Sequence, residues 1–352
     1  MAYSGTVGTT VVDVQTLIDH GARRAGKLAE ELTNEQVQSA KDSLFYVLSN
    51  MANRGIQYWC IEKEVYGLNV DKYIYDLPIG TVDVLNANYR TVTRLTTDPS
   101  SSSGTAAYAF DGDTDTVCTL TSNTGYIAIN LGTSQGQYVG TVGILPGVTG
   151  SVTATIEWSN DNITWSTLYN IGQVAWVDNT WQYYEIINGQ TAQYYRLKQS
   201  AGVNMVVREL VFGTMPMAIP LARMNRDDYT NLPNRNFTSN RPLQYWFDRT
   251  IPQPSMYLWP VPSDPFPQIE LWRHRQIMDV GDLNGELEIP QRWYLAIQNM
   301  LAHQMAMEIP GVAGDRISYL EIQAEKTWNM AEQEERDKSP IYFAPNISVY
   351  TR

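Results

Sequence analysis

The sequence predicts an α+β multidomain protein: a discontinuous helical-bundle domain with extended β segments, interrupted by an all-β jelly-roll sandwich. Three observations carry this. Apolar residues recur at helical spacing near both ends of the 352-residue chain. Short alternating runs separated by Gly, Asn and Asp fill residues 96–214. The polar stretch TTDPSSSSG marks the change between the two patterns. The middle segment also differs in charge, with three Lys or Arg against nine Asp or Glu and no histidine.

Taken in order, Val14, Leu17, Ile18, Gly21, Ala22, Ala25 and Leu28 fall on one helical stripe, with Asp13 placed as its N-cap. Thr33 and Gln36 have capping-box spacing, and Val37, Ala40, Leu44, Val47, Leu48 and Met51 continue a second stripe until Asn53-Arg54-Gly55. Two such helices form an αα-hairpin. Residues 58–95 then read as strands with a turn at LPIG. After FGTMP come Pro-rich extended segments and two more helices. One starts at about Pro290 and runs through Ile297, Met300, Leu301, Met305 and Glu308. The other carries Ile317, Leu320, Ala324, Trp328 and Ala331 on one face and stops before Ser339-Pro340. This gives residues 1–95 as the first part of the helical domain, 96–214 as the inserted sandwich, 215–338 as the second part, and 339–352 as an extended C-terminal arm. Such an insertion needs a guest whose ends lie side by side.

A content of 43% apolar and 18% charged residues is that of ordinary folded protein. No apolar run is long enough to cross a membrane and the first ten residues lack a signal-peptide pattern, so a cytosolic chain with no membrane partner is expected. Cys60 and Cys118 stand apart and read as reduced core residues. The net charge of −12 argues against gripping DNA, which rests on Lys and Arg neutralising phosphates.

Asp111, Asp113 and Asp115 match the opening of an EF-hand loop, but the places for its glycine and twelfth-position glutamate hold Thr116 and Ser122, and the flanks read as strands. GTSQG matches a nucleophile elbow around Ser134, yet no helix pattern follows and the segment holds no histidine, so an ordinary turn is expected. His20, His274 and His303 show no metal spacing and are expected at the surface or an interface. No nucleotide-binding loop is present. The expectation is that this is not an enzyme.

The middle segment resembles the discoidin family, or coagulation-factor type-C domains, through AFDGDTDT, YIAINLG, VTATIEWSNDNITWSTL, AQYYRLKQS and VVRELVFG in that order. The resemblance implies a β-sandwich whose aspartate loop and a late glutamate hold a structural Ca2+, with Asp111, Asp113, Thr116 and Glu209 as the equivalent residues. Cys118 stands where the family often has Trp. Many members bind carbohydrate, which makes a glycan a partner.

The outer segments resemble the head-to-tail adaptors (connector or tail accessory proteins) of short-tailed bacteriophages, through VDVQTLIDHGARRAG, MANRGIQYW, YDLPIGTVDVLNANYR, PLQYWFDR, LWPVP, IPQRWYLAIQNMLAHQMAMEIPG and AEKTWNMAEQEERDKSP. This implies a structural virion protein of the tail neck, assembled in the host cytoplasm. It would form a dodecameric ring beneath the portal protein, hold the nozzle or tail-fibre proteins, and surround the passing genomic DNA during ejection. Trp59, Trp246, Trp259, Trp272, Trp293 and Trp328 would supply core or interface anchors. Ile341, Tyr342, Phe343, Ile347, Val349 and Tyr350 in the C-terminal arm would bind the portal. The competing reading is a carbohydrate-binding or carbohydrate-active protein that uses the discoidin-like module to target a glycan.

Overall fold

The computed structural model describes residues 11–55, 57–95, 98–132, 137–263 and 266–335. The ordinary turn expected around Ser134 and the expected portal-binding residues from Ile341 to Tyr350 lie outside them. The chain forms two compact units, one made of residues up to Ile61 and from His274 onward, the other of Glu62–Arg273. Among the described residues are five α-helices: α1 (Val14–Ala25), α2 (Asn34–Arg54), α3 (Arg226–Thr230), α4 (Tyr294–Glu308) and α5 (Gly314–Glu334). None is long and apolar enough to cross a membrane.

All but α3 build the first unit. Asp13 caps α1, its Oδ1 accepting the Thr16 N–H at 2.7 Å, and Gly26 ends it at φ 101°, where a side chain would be strained. Leu17, Ile18, Ala22 and Ala25 are buried as the stripe predicts. Gly21 brings α1 close to α4, because a Cβ there would stand 2.9 Å from the Met305 sulfur. Leu28 is the exception. It lies beyond Gly26, where the helical phase is lost, and is exposed.

The Thr33–Gln36 capping box opens α2, with Thr33 N–H donating to Gln36 Oε1 and Gln36 N–H to Thr33 Oγ1. Pro290 caps a short 3-10 turn (Gln291–Trp293), so α4 starts four residues later than Pro290 suggests. Two of the tryptophans read as core or interface anchors are core groups. Trp293 and Trp328 meet edge to face at 5.2 Å, Trp59 packs on Trp293 at 5.7 Å, and Trp293 and Trp328 are both buried.

His274 corrects an expectation too. It is buried, its Nε2 lies 3.0 Å from Gln57 Oε1, and Gln57 Nε2 donates to the Met51 carbonyl at 2.7 Å. A histidine with polar partners of its own unit can go inside without an unsatisfied nitrogen. Cys60 and Cys118 are both buried, as core residues should be, and neither is in a disulfide among the described residues.

The second unit is mixed only in its short α3 and otherwise all β. Its sandwich has a five-stranded antiparallel sheet in the order Ser166–Trp176, Gly150–Ser159, Tyr194–Gly202, Tyr126–Asn130, Pro99–Ser101. Its second sheet runs Gln182–Glu185, Thr141–Pro146, Val206–Gly213, Cys118–Thr119. Alternation puts Ile127, Ile129, Val152, Ala154, Ile156, Tyr195 and Leu197 of the first sheet against Val142, Ile144, Leu210 and Phe212 of the second. The ends of the sandwich do lie side by side, with Leu95 N–H donating to the Phe212 carbonyl and Thr214 N–H to the Thr93 carbonyl.

Two flanking sheets complete this unit. One runs Ile61–Gly67, Gln268–Arg275, Thr81–Thr91, Met217–Pro220; the other runs Ala222–Met224, Gln244–Asp248, Ser255–Trp259, Ile74–Asp76. They share a core of Leu68, Tyr75, Val84, Met256, Leu258, Ile269 and Leu271. The sandwich is fastened to this core. A Cβ on Gly67 would come within 2.5 Å of Trp181, which stacks on Tyr183 and meets Phe266 edge on. Lys63 pairs with Glu185 and Glu270 at 3.3 and 3.0 Å, and the buried Arg90 pairs with the same two carboxylates. The expected α+β composition with a β-sandwich is therefore what the chain adopts.

Candidate functional site

Two places on the sandwich gather functional groups. The first is the aspartate loop. Residues 106–109 form a 3-10 turn, and the following residues fold back on the Val206–Gly213 strand, where Glu209 points inward and is fully buried. Glu209 Oε1 accepts the Gly112 N–H at 2.8 Å, while its Oε2 is buried with no hydrogen-bond partner among the described residues. Burial first, and then the neighbouring Asp111, push the Glu209 carboxyl up to about 8, against the pull of the Gly112 N–H and Arg94.

Thr116 Oγ1 is the hub of the loop. It lies 2.9 Å from Asp111 Oδ2, 3.0 Å from the Asp113 carbonyl and 3.3 Å from the Tyr108 carbonyl. The structure thus brings Asp111, Thr116 and Glu209 together. Asp113 takes part through its carbonyl, because its Oδ1 accepts the Asp115 N–H at 3.0 Å. Among the described residues no three His, Cys, Asp or Glu side chains gather closely enough to hold a metal ion. A cation here would need the hydroxyl and carbonyl oxygens as well, and such hard oxygens are the donors Ca2+ takes, six to eight at a time. The orphaned Glu209 Oε2 is the observation that fits a cation.

The second place is the outer face of the five-stranded sheet, which sequence reading did not single out. Strand alternation sends Glu157, Arg196, Lys198 and Tyr126 to this face. Cross-strand register sets Glu157 opposite Arg196 and Lys198 opposite Tyr126. Arg196 Nε donates to Glu157 Oε2 at 2.6 Å, and Lys198 Nζ lies 3.5 Å from Glu157 Oε1. The Arg196 guanidinium sits 4.0 Å from the centre of the Trp165 ring and 5.3 Å from that of Tyr126.

Trp165 is held by the loop before it. Asp161 accepts the Ile163 and Thr164 N–H groups at 2.9 and 2.8 Å and the Thr164 hydroxyl at 3.0 Å, and these bonds, the Ile163 one first, hold its carboxyl far below the usual range. The result is two half-buried aromatic rings within reach of one fixed cation. Two of the three cationic side chains of residues 96–214 stand on this one face. The signal was present in the alternation of ATIEWS and YYRLKQS, but only the register joins them.

No family model matches the chain, and no curated protein matches it. Solved structures do match. One is CpGH89CBM32-6 produced by Clostridium perfringens, 14% identical over 33% of this chain and 90% of that one, with a TM-score of 0.29. Another is chitosan-binding module 1 of a chitosanase/glucanase from Paenibacillus sp. IK-5, 24% identical over 34% and 95%, with a TM-score of 0.29. A third is the CBM62 of Xyl5A from Clostridium thermocellum, 19% identical over 35% and 98%, with a TM-score of 0.31.

These findings correct the expected head-to-tail adaptor. The matched structures are carbohydrate-binding modules aligned on about a third of the chain, and ring, portal, tail and DNA-conduit roles have no support beside them. Two of the motif pieces that suggested an adaptor serve the packing of the chain. VDVQTLIDHGARRAG supplies the buried stripe of α1, and YDLPIGTVDVLNANYR supplies two strands and the turn between them.

Proposed function

We propose that this chain is a glycan-binding protein that acts by binding and not by chemistry, with the outer face of its five-stranded sheet as the saccharide platform. The observation that carries this is the Arg196 guanidinium, fixed by Glu157, within 4.0 Å of the Trp165 ring centre and 5.3 Å of that of Tyr126. The apolar C–H face of a pyranose ring stacks on an aromatic side chain, while its hydroxyls need charged partners already held in place. This face offers both, on strands and on the loop braced by Asp161. A Ca2+ ion at Asp111, Thr116 and Glu209, with the Asp113 and Tyr108 carbonyls, would staple the acidic loop to the sandwich and give Glu209 Oε2 its missing partner.

The test is a glycan array probed with the full chain, followed by calorimetry on whatever is retained. Trp165→Ala and Tyr126→Ala, which remove rings and leave the Arg196–Glu157 pair intact, should each weaken binding by about tenfold or more. Retention of no glycan by the wild-type chain, or unchanged affinity of Trp165→Ala for every glycan retained, would end this reading.

A further inference from the structure

The helical unit holds a cleft of about 590 Å³ between α2, α4 and α5. That lies within the roughly 300–1,000 Å³ of small-molecule sites. Its walls are chemically prepared. Glu308, the last residue of α4, accepts the Ser39 hydroxyl at Oε2 and the Ser43 hydroxyl at Oε1. An ionised carboxylate has about four lone-pair positions, so two remain free on a group already held in place. On α2, Asp42, Tyr46 and Asn50 succeed one another at intervals of one helical turn along the same cleft, and the Tyr46 ring is exposed.

At the far end the Arg54 guanidinium lies 4.8 Å from the centre of the Trp328 ring. Trp328 is only 2% exposed, and its indole N–H has no hydrogen-bond partner among the described residues. An unpaired buried donor of this kind costs stability unless something accepts from it.

The chemistry of the lining selects its ligand. Two carboxylates, Asp42 and Glu308, face one guanidinium, Arg54, a local balance of −2 + 1 = −1 that disfavours an anion. Carboxylates and an amide accept from neighbouring hydroxyl pairs, the guanidinium donates to ring or hydroxyl oxygens, and the tyrosine ring offers an apolar face. We propose that this cleft is a second saccharide site, independent of the sandwich, that takes a neutral or amino sugar and rejects uronic acids.

The experiment uses the full chain and saturation-transfer NMR with glucosamine, N-acetylglucosamine and glucuronate as probes. Glucosamine and N-acetylglucosamine should give transfer signals and glucuronate weaker ones. The double variant Asp42→Ala/Asn50→Ala, both at exposed positions, should raise the glucosamine Kd at least tenfold with an unchanged melting curve, whereas Trp165→Ala in the sandwich should leave that Kd unaltered. The proposal is overturned if neither amino sugar binds, if glucuronate binds as well as glucosamine, or if Trp165→Ala abolishes a binding that the double variant retains. The last outcome would leave the sandwich reading standing. A glucosamine Kd raised only by Asp42→Ala/Asn50→Ala, beside an empty glycan array, would do the reverse.

Discussion

The helical unit and the β unit solve the same problem, what to do with polar groups, in different ways. In the helical unit the hydrophobic centre is aromatic and aliphatic, its buried polar side chains are few, Ser43, Gln57, His274 and Asn299 with the single carboxylate Glu335 held by Arg292, and other polar groups such as Asp42, Asn50 and Glu308 line an open cleft. The β unit buries charge outright: Arg90, Glu157, Glu209, Glu270 and Arg273 are all under a tenth exposed. All but Glu209 are paired across strands, Arg273 for example with Glu62 and Glu64. Helices pair near neighbours along the chain, while sheets join distant segments, so a sheet can bring an acid and a base together inside. The comparison shows where each unit is vulnerable, through lost apolar volume in one and through an orphaned charge in the other.

The sharpest way to break the comparison is to strike one buried interaction in each unit. Trp328→Ala should cost about 3–5 kcal/mol by urea melting, because the hole left beside Trp293 and Arg54 cannot close fully. Arg196→Ala should cost about 1–3 kcal/mol for another reason, since Glu157 would stay buried with its hydrogen bond lost and only Lys198 beside it at 3.5 Å. The double change Arg196→Met/Glu157→Leu should recover most of that loss. If the single and double variants melt alike, the β unit depends on packing in the same way as the helical one.

Next in size is the aspartate loop. Calcium at a hundred times its dissociation constant should stabilise the chain by about 2.7 kcal/mol, read as a rise in melting temperature that EDTA reverses. Glu209→Gln should abolish the rise. The gain should be larger above the pH at which Glu209 loses its proton, about 8, than below it, since the ion binds the carboxylate. Identical melting with calcium and with EDTA would leave Glu209 as a neutral buried acid.

Smaller effects test the two styles at the surface. Thr33→Ala removes the hydroxyl that accepts the Gln36 N–H at the start of α2 and should cost about 1 kcal/mol. In the β unit, burial raises the Glu185 carboxyl, but Arg90 and Lys63 outweigh it and hold it below the ordinary value of 4.5. A carboxyl so lowered stabilises the fold above pH 4.5 and loses that contribution as the pH falls through its depressed folded value. Glu185→Gln should therefore flatten the acid side of the melting-temperature profile. The effect should be small, since Glu185 is a third exposed.

How much of this was legible depends on the range of the contacts involved. The stripes of α1 and α2, the Asp13 cap and the Thr33–Gln36 box follow from residues within a few positions of one another, and the structure repeats them. The alternation of residues 96–214 likewise specified a sandwich, because each strand needs only its own inward side chains to declare a face. Partnership across distance was not declared. Nothing near His274 marks it for burial until Gln57 arrives from 217 residues away. The Tyr126, Trp165 and Arg196 platform exists only once three strands have taken their register. The sequence by itself determined where α1 and α2 begin and which strand faces are apolar, since these depend on local hydrogen bonding and on periodicity. Only the tertiary structure decided which charges meet, which tryptophans are core, and where a cleft opens, because those depend on the pairing of segments whose separation in the chain no local pattern encodes.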